Sequence, residues 1–177
     1  MTTSLVVTFV GRDRPGLAHV LAEAVAAAGG NWLESRLARL AGEFAGIVLV
    51  DVPAGKLARL TAALQALEQD GLSVRVEPAI PAEARPNMTI FEMALVGHDR
   101  PGIVRDVTTA LLGLGASIEE FSTRTESAPF AGETMFHLMA RFAMPEERAI
   151  EELREALERL AGEIMVDLAV KEAREQT

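Results

Sequence analysis

A 177-residue chain with a net charge of −9, no cysteine, 49% hydrophobic and 24% charged residues is globular in composition. Its acidic balance argues against direct nucleic-acid binding, which needs basic side chains to displace counterions from phosphates. Disulfides and thiol chemistry are excluded, and no run approaches the roughly 18 apolar residues of a membrane-crossing helix, so no membrane contact is expected.

Leu5 to Val10 reads as a buried strand. Gly11-Arg12-Asp13-Arg14-Pro15-Gly16-Leu17 follows, and Leu17, Val20, Leu21, Ala24, Val25 and Ala28 then recur at helical spacing, which predicts one inward face. Gly29-Gly30 ends that helix. Asn31 to Leu40 and Ala45 to Val52 form a hairpin about Ala41-Gly42-Glu43. A second helix turns Leu57, Leu60, Leu64 and Leu67 inward, Gly71 stops it, and Leu72, Val74 and Val76 alternate as a closing strand. Pro78 to Pro86 holds three prolines and no apolar periodicity. The expected division is a first domain at 1–80, a linker at 81–87 and a second domain at 88–177.

The second half repeats the first. Gly97-His98-Asp99-Arg100-Pro101-Gly102-Ile103 lies 97 − 11 = 86 residues beyond its counterpart, between a strand Met88 to Val96 and a helix with Ile103, Val107, Ala110, Leu111 and Leu114 inward. Ser117 to Glu126 and Glu133 to Phe142 pair around Ser127-Ala128-Pro129, and the same offset matches Phe44-Ala45-Gly46 to Phe130-Ala131-Gly132. Ile150, Leu153, Leu157 and Leu160 repeat the second helix at an offset of 150 − 57 = 93, which puts about seven extra residues near Arg141 to Glu147. Ile164, Val166, Leu168 and Val170 close the copy. Each half is therefore β-α-β-β-α-β, an α+β, ferredoxin-like fold in which two helices cover one face of a four-stranded antiparallel sheet. Halves of about 85 residues bury modest cores and leave sheet edges to protect, which predicts pairing between halves or in a homodimer.

The repeated stretch is a turn that ends at a helix N-terminus. Pro15 and Pro101 suit first helical positions, where the missing N–H costs nothing. Asp13 and Asp99 are placed to cap the helices. Gly16 and Gly102 present backbone N–H groups without a side chain in the way, which would admit a ligand carboxylate. One such stretch is an ordinary helix start; two at a fixed offset mark a duplication.

These features together resemble the ACT domain, a small regulatory module that binds amino acids. The likeness rests on Asp-Arg-Pro-Gly after the first strand, the glycine-ended helix, and Asn31 opening the second strand before Glu34-Ser35-Arg36. Two copies that fill almost the whole chain resemble the glycine cleavage system transcriptional repressor group, most specifically through Gly-Asn-Trp-Leu-Glu-Ser-Arg-Leu-Ala-Arg-Leu at 30–40. In such modules the ligand lies where the first strand-to-helix loop faces a neighbouring domain, with help from the residue opening the second strand. That resemblance implicates Gly11, Asp13, Arg14, Pro15, Gly16, Leu17 and Asn31, and in the second copy Gly97, Asp99, Arg100, Pro101, Gly102, Ile103 and Ser117; His98, which replaces Arg12, is a candidate by its place inside the second loop. Ser117 stands where the first copy has Asn31, with shorter reach and no two-donor amide.

The resemblance implies a non-enzymatic, cytoplasmic regulator without cofactor or metal, whose ligand is a small amino acid, glycine or serine first. It also implies regulation of transcription through a protein partner, a DNA-binding activator, with a detached regulatory subunit of an amino-acid enzyme as the alternative. The N-terminal Met1-Thr2-Thr3-Ser4 lacks a basic segment ahead of a long apolar run, which agrees with a cytoplasmic location. His19, His98 and His137 occur singly, without metal-ligand spacing. For five heavy atoms, a ceiling of roughly −1.5 kcal/mol per atom holds glycine to a Kd no tighter than a few micromolar.

Overall fold

A computed structural model describes residues 1–80, 87–127, 134–146, 151–153, 155–156, 158–159 and 166–172. The expected linker lies almost wholly outside them. The chain forms two compact units, Met1–Glu83 and Ala84–Thr177.

In the first unit the order is β1 (Thr2–Arg12), α1 (Leu17–Ala27), β2 (Asn31–Leu40), β3 (Glu43–Pro53), α2 (Leu57–Ala66) and β4 (Leu72–Pro78). The sheet runs β2-β3-β1-β4 with antiparallel neighbours throughout. Alternation decides which face is covered: Leu5, Val7 and Phe9 of β1 and Val48, Val50 and Val52 of β3 point to the helices and are buried. Leu21, Val25, Leu60 and Leu64 meet them from α1 and α2, and burying each such side chain contributes about 1.5–3 kcal/mol. No polar or charged residue is buried among the described residues. Trp32, at a bulge where β2 slips against β3, is half-buried against this core.

The second unit repeats the plan with β5 (Met88–His98), α3 (Ile103–Gly113), β6 (Ser117–Ser127), β7 (Thr134–Pro145) and β8 (Val166–Glu172), in the order β6-β7-β5-β8. Residues 151–153, 155–156 and 158–159 are helical, and Leu153 is fully buried. Ile103, Val107, Leu111 and Leu114 are buried with Phe91, Met93 and Leu95, and Ala110 packs beside them. Ile150, Leu157, Leu160 and Ile164 lie outside the described residues.

Three expectations are corrected. Val20 is 38% exposed, because the inward face follows Leu17, Leu21, Val25 and Ala28 and leaves residue 20 turned away. The ladders also move the insertion. Gly11 pairs with Phe44 and Thr2 with Pro53, while Gly97 pairs with Phe136 and Met88 with Pro145. Phe44 thus corresponds to Phe136, not Phe130, and the offset rises to 136 − 44 = 92 before β7 begins. Six of the extra residues belong to the β6–β7 connection, where length can change without disturbing the register of the core strands.

The third correction concerns the helix starts. Gly16 and Gly102, not the prolines, are the residues immediately before α1 and α3, with φ 92° and 90° in the left-handed region, and neither helix has a side-chain cap. The prolines sit one step earlier, in the turn. Asp13 lies too far ahead of Leu17 to cap, and Arg39 holds its carboxylate instead.

Candidate functional site

Each strand-to-helix loop is fastened at its start to the neighbouring hairpin. The N–H of Asp13 donates to the Gly42 carbonyl at 2.8 Å, and the N–H of Asp99 donates to that of Thr134 at 2.8 Å. In the first loop Arg39 Nε adds an ion pair to Asp13 Oδ2 at 2.6 Å. Gly11 is required by packing, since a Cβ there would stand 2.6 Å from the Gly71 carbonyl oxygen. Gly97, buried, occupies the same place between Phe136 and Val166. Leu17 and Ile103 bury their side chains in the cores at 5% and 3% exposure, so they can serve a ligand only through backbone N–H groups.

What remains at the first loop is a set of backbone donors. Gly16 is exposed, and nothing lies within 4 Å of where its Cβ would be. The first-turn N–H groups of α1 are uncapped by any side chain, and such groups attract carboxylates through both hydrogen bonding and the helix dipole. Pro15 and Arg14 are exposed beside them. Arg14 donates through Nη2 to the Asp70 carbonyl at 3.2 Å.

The second loop is different. Arg100 donates through Nη2 to Asp106 Oδ2 at 2.7 Å, and Arg105 donates through Nε and Nη2 to Oδ1 at 3.0 and 2.9 Å. These bonds, that of Arg100 foremost, hold the Asp106 carboxyl below the usual aspartate range. Pro101 is exposed, as are Asp99 and His98 at the end of β5. Arg105 and Asp106 also border an open surface groove of about 650 Å3 shared with Thr109, Glu155 and Arg159.

Asn31 does not join the first loop within its own unit. It pairs with Asp51, which pairs with Ser4, seven residues before Gly11 along β1, a separation of about 23 Å at the usual strand rise. Ser117 is displaced from Gly97 in the same way, opposite Ala143 and Ile90. Beside Asn31 stands a carboxylate that the sequence reading overlooked, Asp51, accepting from Ser4 Oγ at 2.6 Å. Asp106 belongs to no motif either, and its one signal in the sequence is that the offset of 86 sets it against Val20. Among the described residues no cluster of His, Cys, Asp and Glu could hold a metal ion, and no helix is long and apolar enough to cross a membrane.

Residues 3–77 and residues 93–162 each match a family model of the ACT domain. The glycine cleavage system transcriptional repressor of Escherichia coli (strain K12) is 28% identical over 163 residues, covering 90% of this chain and 85% of that one. The crystal structure of an unknown protein from Galdieria sulphuraria has a TM-score of 0.85 at 35% identity, covering 98% of this chain and all of that one. A second crystal structure, of a candidate glycine cleavage system transcriptional repressor, shares the fold at a TM-score of 0.72 and 21% identity over 99% of both chains. With matching domains in both halves, each built as a four-stranded antiparallel sheet under helices, the chain belongs to the ACT-domain family and carries two such domains in tandem.

Proposed function

We propose that this protein is a cytoplasmic, non-enzymatic sensor of a small amino acid, glycine or serine first, that regulates transcription through a protein partner such as a DNA-binding activator. The observation that carries the reading is the first loop: a left-handed, exposed Gly16 at the start of an uncapped helix, with Arg14 beside it. Backbone N–H groups of residues 16–19 receive the α-carboxylate, Arg14 adds charge, and Asn31 with Asp51 offers acceptors for an α-ammonium group. Because those two ends lie about 23 Å apart along one sheet at the usual strand rise, one ligand cannot reach both within a single module, and a neighbouring module, taken here as that of a second chain in a homodimer, supplies the other end. Residues 81–87 serve as the linker between domains at 1–80 and 88–177. The net charge of −9 fits a regulator that does not grip DNA itself.

Calorimetric titration and thermal melts with glycine and serine test the reading. Saturation at one hundred times Kd adds about 2.7 kcal/mol of stability. Asn31→Ala should weaken that response. If none of the twenty amino acids raises the melting temperature at millimolar concentration, sensing is refuted. Salt-sensitive binding of the isolated chain to a DNA duplex would refute action through a partner.

A further inference from the structure

The two loops share a sequence pattern but treat their arginines differently. Arg14 is exposed, reaches the neutral Asp70 carbonyl, and pairs with no carboxylate among the described residues. Arg100 is half-buried and bound to Asp106. Arg105 grips the same carboxylate and lies against Gly102, where a Cβ would come within 3.1 Å of Arg105 Nη2. Val20 and His19, both exposed, occupy the corresponding positions in the first module, and the space over Gly16 is open.

We propose that Asp106 is an internal carboxylate that occupies the second loop's arginine, so that the second module is closed to small amino acids while the first stays open. This rests on the amino-acid-binding reading above and adds which copy answers. The physical argument is competition. A carboxylate carried on the same chain, within one helical turn of the loop, acts at an effective concentration of at least the millimolar range. Charge-assisted bonds from two guanidinium groups are also stronger than neutral ones. A free amino acid must displace that group to reach Arg100, whereas Arg14 is held only through Nη2 by the neutral Asp70 carbonyl and keeps other donors to offer. A partly exposed ion pair adds little to folding stability, but occupancy of the arginine, not stability, excludes the ligand. An aspartate is ionised at neutral pH in any case, and the two arginines favour that charged form further.

Calorimetry with glycine and with serine decides the matter, using wild type, Asp106→Val, which installs the first module's residue, and Asp106→Asn, which keeps the shape and removes the charge. The expected stoichiometry is one ligand per wild-type chain and two per chain in both variants, with circular dichroism unchanged. Two ligands on the wild type, or one on folded variants, overturns the inference and leaves the amino-acid reading standing. No binding by any of the three overturns both together. Arginine modification by phenylglyoxal, mapped by mass spectrometry, gives a ligand-free readout. Arg14 should react severalfold faster than Arg100 in the wild type, and the two rates should converge in Asp106→Val; equal rates in the wild type refute the occupancy.

Discussion

The first and second modules share a frame and differ in how they finish it. Leu60 and Leu153 are both fully buried under equivalent sheets, and Gly16 and Gly102 take up the same left-handed turn. Yet one loop ends beside an exposed arginine and the other beside an arginine already bound by a carboxylate. Duplication preserves what the core and the backbone demand. Positions on the first helical turn that the core does not fill, such as exposed Val20 and part-buried Asp106, are free to diverge, and function can diverge with them.

The largest expected effect tests the shared frame. Leu60→Ala and Leu153→Ala should each cost about 2–5 kcal/mol, as truncations in close-packed cores do, and urea denaturation of the two variants should give similar losses. A wide disparity would break the equivalence of the modules. Next come the turns. Gly16→Val and Gly102→Val each force a β-branched residue into the left-handed region, at about 1–3 kcal/mol. Thermal melts should show comparable destabilisation, while calorimetry with glycine should lose its signal only in Gly16→Val.

A smaller effect probes the fastening of the first loop. Asp13→Ala removes the pair with Arg39, whose side chain is 70% exposed, so stability should fall by no more than about 1 kcal/mol. The backbone bond to Gly42 should persist, visible as unchanged hydrogen-exchange protection at residue 13. The smallest effect is one of pH. Asp106 has its folded-state pKa lowered, chiefly by Arg100 and then Arg105. Its stabilisation is therefore fully present above the unfolded value of about 3.9 and is lost as pH falls through the lower folded value. Melting temperatures of wild type and Asp106→Asn should differ by a constant amount from neutral pH down to about pH 5 and converge in stronger acid.

Much of this arrangement was legible in the residues. Alternation of Leu5, Val7 and Phe9 and the helical spacing of Leu57, Leu60 and Leu64 define strands and helices because burial imposes those periods. The two Asp-Arg-Pro-Gly stretches mark the loops because few sequences combine a fixed turn with a side-chain-free amide. What the sequence hid was pairwise. Phe44 and Phe130 share a local pattern, but only the hydrogen-bonded ladder shows that Phe136 is the true counterpart. Likewise Asp13 looks like a cap until Arg39, a residue of another strand, is seen to hold it. Asp106 is ordinary in composition and acquires meaning only beside Arg100.

Trp32 is the one tryptophan of a chain without tyrosine, and it leans on the first core beside Asn31; Ile118 takes its place in the second module. Excitation at the red edge of protein absorbance therefore illuminates one half of the molecule and leaves the other dark. Emission follows the first module alone, while far-ultraviolet dichroism averages over both, and the pair of signals assigns a perturbation to its half without a label.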